Sequence, residues 1–330
     1  MTNNTSNGNP MEVYIQCCKR DLHLLRICVA SVRYWYPNIS IYLIRDYTHG
    51  AFDTREVENN WNVLVLSINK KKLGLGFPKF EVIFSDISKR VFFIDADIVF
   101  IGKVIDKLEN ATEDFIVDAD PVDNPYTDYM KETYFDLAAI ESFDQEYAFP
   151  GFCFNTGQIV ATTGKIKHRD FEPFIEWAEP PVVKNPEVFS CADQGLLNYV
   201  LVKKQRRNEL SLRALKFMLW SESQSTKEVE LESIKNRQGY PVLIHWAGTK
   251  PPFISKMNRY DILKFFENYY YSNIQFGWFK QRQRAFFKYV RISMKQLLYK
   301  CVRPVLSLLR FPSELAGQHL RSIGKGARQN

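Results

Sequence analysis

The chain has no stretch of about 18 uninterrupted apolar residues, so no segment is expected to cross a membrane as a helix. Its first ten residues, Met1 to Pro10, are rich in Asn, Thr, Ser and Gly, with no basic region and no apolar core. That composition reads as a disordered tail over 1–10 rather than as a secretory signal. Cysteine is sparse. Cys17, Cys18, Cys28, Cys153, Cys191 and Cys301 have neither metal-ligand nor disulfide-framework spacing and mostly lie in apolar runs. They are expected to be reduced core thiols of a cytoplasmic protein. Acids are almost missing from one end: Lys280 to Asn330 hold twelve Lys/Arg against Glu314 alone, a local net of +11. The rest of the chain carries −4, so the total of +7 belongs to the tail and no nucleic-acid partner is expected.

What is present is a substantial apolar content, 45% of 330 residues, enough to bury one large core or two smaller ones. Glu12–Cys18 reads as a first strand, followed by an amphipathic helix from Leu22 to Tyr36 that Pro37 closes. Ile39–Ile44 and Trp61–Leu66 read as the next strands, and Lys79–Ser88 as a helix with Phe80, Ile83, Phe84 and Ile87 on one side. Strands alternating with helices predict an α/β fold with a mostly parallel sheet and helices on both faces.

The chain is organised around Val91–Gly102, Val-Phe-Phe-Ile-Asp-Ala-Asp-Ile-Val-Phe-Ile-Gly, which reads as a buried parallel strand interrupted by two carboxylates. Unpaired buried acids cost several kcal/mol or more, so Asp95 and Asp97 are expected where the strand emerges, facing a divalent cation. Asp114–Asp120 repeats the Asp-Ala-Asp triplet. Asp118 and Asp120 are candidates for hydrogen bonds to a polyol, or an acidic turn before Pro121. Residues 122–148 suit an insertion over the site. Phe149–Gly157 is a strand ending near Asn155, a residue that when buried must be hydrogen-bonded. A Pro-rich linker over 180–186 precedes a helix over 191–201 with Asp193 and Gln194 in its first turn, and the charged stretch 203–237 carries no legible chemistry. Val242–Pro252 delivers His245 to a Gly-containing loop with Lys250. Two carboxylates and one imidazole suit Mn²⁺, with Mg²⁺ as the alternative. Lys79, at the carboxyl end of the sheet, is a phosphate-binding candidate.

Phe-Ile-Asp-Ala-Asp-Ile-Val, Phe-Asn-Thr-Gly, Ala-Asp-Gln-Gly-Leu-Leu-Asn and Ile-His-Trp-Ala-Gly-Thr-Lys-Pro occur in the order seen in GT-A-fold glycosyltransferases, across roughly residues 75–255. The chain resembles family 8, which includes bacterial lipooligosaccharide galactosyltransferases and glycogenin. The resemblance implies that Asp95, Asp97 and His245 hold Mn²⁺ on the diphosphate of a nucleotide sugar, and that Gly248 and Lys250 contact its phosphates. It further implies that Asn155 and Asp193 meet the donor sugar and that Gln194 lies beneath the anomeric carbon. The family's Asp-Gln-Asp is Asp193-Gln194-Gly195 here, and its Trp after Lys-Pro is Pro252. Its acidic base-binding motif is matched only by Asp21, which leaves UDP as an inherited expectation.

Two other classes share part of this pattern. A metal-dependent nucleotidyltransferase calls for a Gly-rich basic loop after the first strand, and Cys17-Cys18-Lys19-Arg20 has no glycine. A sugar-nucleotide-binding protein without transfer activity would have lost a ligand, and all three are present. The expected organisation is a catalytic domain over 11–278 and a basic amphipathic tail over 279–330. In that tail Phe286, Tyr289, Val290 and Leu297 fall on one flank of a helix and Arg284, Lys288, Arg291 and Lys295 on another, with Pro304 dividing the segment into two short helices. This pattern predicts attachment to the anionic inner face of a membrane, bringing the chain to a glycan or glycolipid acceptor.

Overall fold

The computed structural model describes residues 11–308 apart from 69, 70, 75 and 192, with side chains as far as Met294. The expected disordered tail over 1–10 and residues 309–330 lie outside the described residues. The chain forms two compact units, Met1–His245 and Trp246–Asn330.

In the first unit the elements run β1 (Glu12–Cys18), α1 (Leu22–Trp35), β2 (Ile41–Asp46), α2 (Arg55–Trp61), β3 (Val63–Val65), α3 (Phe80–Ile83), β4 (Arg90–Asp95), β5 (Ile98–Phe100), α4 (Val104–Leu108) and β6 (Phe115–Pro121). They continue as α5 (Asp128–Thr133), α6 (Leu137–Phe143), β7 (Phe152–Thr162), β8 (Ile175–Glu176), β9 (Val182–Val183) and α7 (Asp193–Arg206). β10 (Leu212–Leu215), β11 (Met218–Trp220), α8 (Gln224–Lys227), α9 (Leu231–Lys235) and β12 (Leu243–His245) complete it.

The main sheet has the order β10-β6-β7-β4-β1-β2-β3. Its pairs are parallel except where β7 runs antiparallel to β4 and β6. A smaller sheet, β11-β12-β5, stands beside it. The near-continuous apolar runs of β1 and β4 follow from burial on both faces. On one face Phe93 and Ile159 pack with Phe80, Leu196 and Leu197 from α3 and α7. On the other, Phe92 meets Phe100 and Phe217 with ring centroids 6.0 and 6.1 Å apart. Fully buried rings such as Phe80, Phe92 and Phe154 each stabilise the fold by roughly 1.5–3 kcal/mol.

Several expected boundaries move. The run Val91–Gly102 is two strands, because the chain turns at Ala96-Asp97 and passes from the main sheet into the smaller one. Lys79–Ser88 is a 3₁₀ turn, Phe77–Lys79, running into the short α3, which ends at a turn at Phe84 and a bend at Asp86–Ile87. Trp61 closes α2 rather than opening a strand. The charged stretch 203–237 holds an edge strand of the main sheet, β10, whose partner β6 supplies the apolar face its sequence lacks.

The second unit contains α10 (Tyr260–Ser272) and α11 (Gly277–Leu308). α11 continues through Pro304, since a proline removes one bond of the ladder and a long helix survives that loss. Arg284 donates to the Tyr271 hydroxyl at 3.1 Å, so part of the basic flank packs on α10. Phe286, Phe287 and Tyr289 are left 60–63% exposed.

Candidate functional site

The carboxyl end of β4 is where the first unit gathers its charge. Asp95 ends the strand and Asp97 lies in the turn that follows it. β12, antiparallel to β5, brings His245 opposite Ile98. The three side chains each offer a ligand atom, all within 4.8 Å of one another. His245 Nε2 is 3.3 Å from an Asp97 oxygen. At metal–ligand distances of about 2.0–2.2 Å, two ligands of one ion stand at most about 4.4 Å apart, so the three atoms, within 4.8 Å of one another, need close in only by a few tenths of an ångström to hold one divalent ion. Gly157 on β7 makes the cradle. A Cβ there would stand 2.6 Å from His245 Cε1 and 2.8 Å from both Asp95 Oδ2 and Asn155 Oδ1, so any side chain at this position would have to push these groups aside. Burial above all, with Asp97 and Asp193 adding, lifts the Asp95 carboxyl to about 7 against the opposing pull of Lys79 and His245.

The imidazole of His245 is held from behind. Trp220 stacks on it at 5.5 Å with planes 23° apart. The second Asp-Ala-Asp triplet explains where Trp220 comes from. Asp118 is fully buried and accepts from the backbone N–H of Phe217 and Met218 at 2.6 Å each and from Lys216 Nζ at 2.8 Å. Asp120 accepts from Lys216 Nζ at 2.5 Å and from Trp220 Nε1 at 3.4 Å. Asp118 is therefore not a polyol contact: protein donors take both its oxygens. The pair anchors Lys216–Trp220, which includes β11, the strand that backs the histidine.

Lys79 differs most from expectation. It is neither solvated nor open to a phosphate. Its Nζ pairs with Asp193 Oδ2 at 2.6 Å and donates to the Thr156 carbonyl at 2.7 Å, and the two charged side chains are only 3% and 5% exposed. Asp193 opens α7, where an acid suits the helix dipole. Gly76, at φ +82°, passes directly over it; a Cβ at Gly76 would fall 1.5 Å from Asp193 Oδ1.

The next residue, Gln194, is fixed at both ends of its amide. Nε2 donates to the Thr133 carbonyl at 2.9 Å, and Oε1 accepts from Asn155 Nδ2 at 2.8 Å and Thr156 N at 3.4 Å. Asn155 Oδ1 in turn accepts from Gly157 N at 2.8 Å. Gly195 has a steric cause as well: the Tyr134 carbonyl would lie 2.0 Å from a Cβ there, so the acid of the Asp-Gln-Asp pattern has no room.

Asp21 sits before α1 and accepts from Cys18 Sγ at 3.3 Å. Gly248, at φ +76°, and Lys250, whose Nζ donates to the Gly248 carbonyl at 3.3 Å, belong to the second unit. Sequence reasoning missed the Lys79–Asp193 pair, Gly76, Gly157 and Trp220. The available signal was Gly74-Leu-Gly-Phe-Pro before the lysine, a chain that must approach something closely.

No family model matches the chain, and no curated protein matches it by sequence. Among solved structures it is similar to the apo WbbM bifunctional glycosyltransferase, with a TM-score of 0.48 and 13% identity over 79% of this chain and 50% of that one. It is similar also to the galactosyltransferase LgtC in complex with donor and acceptor sugar analogs, with a TM-score of 0.49 and 14% identity over 79% of this chain and 96% of that one. For the glycosyltransferase GlyE of Streptococcus pneumoniae TIGR4 the values are 0.46, 13%, 79% and 61%. The chain thus spans half the length of WbbM. Its own strand order places β7 antiparallel between β4 and β6, with Asp95 at the carboxyl end of β4.

Proposed function

We propose that the chain is a metal-dependent glycosyltransferase that moves a sugar from a nucleotide-sugar donor, a UDP-sugar foremost, to a glycan or lipid-linked glycan acceptor with retention of configuration. The observation that carries the reading is the convergence of Asp95, Asp97 and His245 at the carboxyl end of the sheet, packed against Gly157, where an added side chain would have to displace them. Asp95, Asp97 and His245 would hold Mn²⁺, with Mg²⁺ as the alternative. When bound, the ion supplies positive charge against the diphosphate leaving group. Lys250 and Gly248 would add phosphate contacts, and Asp21 would be the residue that meets the base.

Asn155 and Gln194 are the groups we assign to the donor sugar, each oriented by the other. Asp193 supports this role from beneath as the buried partner of Lys79 rather than as a nucleophile. A double displacement requires a carboxylate within bonding reach of the anomeric carbon. With Asp193 paired and residue 195 a glycine, the reading favours attack on the face the leaving group vacates. Gln194→Ala is expected to lower kcat strongly with little change in KM for the donor, the pattern of a contact felt in the transition state. A rise in KM alone would move Gln194 to a binding role.

The tail supports a peripheral mode of work. No helix among the described residues is long and apolar enough to cross a membrane. The exposed rings of α11 instead accompany Lys280, Arg282, Lys288 and Arg291 with no acid in that helix. Each basic residue near an anionic leaflet is worth about 1 kcal/mol. The chain is expected to sediment with anionic vesicles and to be released by salt, and Phe286→Glu/Phe287→Glu should abolish attachment while sparing donor hydrolysis. Binding that survives both high salt and the double substitution would contradict this.

A further inference from the structure

We propose that Gln16 is a positioning residue that fixes the Asp95 carboxylate and thereby sets which divalent cation the site prefers; the inference rests on reading Asp95, Asp97 and His245 as metal ligands. After Glu12, β1 is otherwise an apolar strand, with Val13, Tyr14, Ile15 and Cys17 buried. A glutamine there breaks the pattern, and an unsatisfied buried amide costs about 1–3 kcal/mol, so the position calls for a reason.

The register supplies one. Gln16 stands directly opposite Asp95 in the parallel β1/β4 pair. Its Nε2 donates to Asp95 Oδ1, and its main-chain carbonyl accepts from Ala96 N at 3.1 Å. Side chain and backbone together hold the residue that starts the turn to Asp97. The amide orientation follows from chemistry, since Oε1 facing a carboxylate would set two acceptors against each other. Asp95 Oδ2 is then the oxygen on the side of Gly157 and His245: it lies 2.8 Å, and His245 Cε1 2.6 Å, from the same point, a Cβ built on Gly157. One oxygen is thus held by an amide and the other is presented to the metal side.

A carboxylate held in this way offers a single oxygen. Single-oxygen ligands in regular geometry suit small octahedral cations such as Mg²⁺ and Mn²⁺, whereas Ca²⁺ accepts two-oxygen carboxylates and irregular shells. Gln16 Oε1 is buried and has no hydrogen-bond donor, which places an acceptor beside the ligand suited to the O–H of a water bound to the ion.

The test is metal affinity in the purified full chain, with free Mn²⁺ read from the electron paramagnetic resonance of the aquo ion and Ca²⁺ measured by competition. Wild type is compared with Gln16→Met, which keeps the volume and loses the donor, and with Gln16→Asn, whose amide is too short to reach. Both variants should bind Mn²⁺ about 10–100-fold more weakly, as removal of an outer-shell partner does, while Ca²⁺ is little affected and the melting temperature holds. The ratio of the two affinities is the quantity a merely structural role would leave alone. Mn²⁺ affinity indistinguishable from wild type in both variants overturns the inference alone, as does an equal loss for both cations. A wild-type chain that binds no Mn²⁺ removes the metal reading and this inference with it. If Gln16→Met does not fold, Gln16→Asn decides.

Discussion

Replacing Asp95 or Asp97 by asparagine is expected to abolish metal-dependent turnover, by on the order of 10³-fold or more, while the chain stays folded. An amide oxygen is neutral and a weaker ligand than a carboxylate. With three protein ligands converging on one point, losing either acid leaves too little charge to hold the ion against solvent. Stability should hold or improve, because Asp97 is among the groups that raise Asp95, and the two buried carboxylates repel in the absence of a cation. Turnover, metal affinity and thermal melting measured on the same preparations separate the two effects. Full activity in either variant, or a melting temperature that collapses with activity, would contradict the assignment.

The second large effect is on the fold itself. Lys79→Met should destabilise the chain by about 3–5 kcal/mol, because it leaves the Asp193 carboxylate buried without its counter-charge and the Thr156 carbonyl without its donor. Adding Asp193→Leu should recover most of that loss, since a buried ion pair is often replaceable by apolar side chains of similar volume. Activity should not return with stability, because α7 would have lost the contact that sets Gln194 and Asn155. Urea unfolding of the two single variants and the double variant closes the cycle. A double variant no more stable than Lys79→Met would show that the pair is not the source of the loss.

These two cases differ in how far the sequence revealed them. Asp95, Asp97 and His245 were legible because each interrupts or ends an apolar run, and a charge or imidazole in that setting requires a partner. Lys79 and Asp193 were not. They lie 114 positions apart, no periodicity links them, and each alone looks like an ordinary first-turn residue of a helix. The second Asp-Ala-Asp triplet was visible as a repeat, but its partner Lys216 lay in a charged stretch where a short edge strand borrows its apolar surroundings from β6. Gly157 and Gly76 matter through what cannot be added to them, and that constraint exists only once β7, β12 and α7 have met. The parallel sheet was readable from alternating elements. The turn at Ala96-Asp97 was not, because the residues on both sides of it are equally apolar and the change of sheet depends on β12, some 150 positions later in the chain.

The central claim is that this site breaks the bond between a sugar and a nucleoside diphosphate with the help of a divalent ion. It is tested most directly by offering the purified chain UDP-, GDP- and CMP-sugars with Mn²⁺, with Mn²⁺ plus excess chelator, and in the Asp97→Asn variant, and measuring released nucleotide. The account predicts Mn²⁺-dependent release from a UDP-sugar that chelator and Asp97→Asn both abolish. Release undiminished by chelator, or no release from any donor by a chain that binds Mn²⁺, would contradict it.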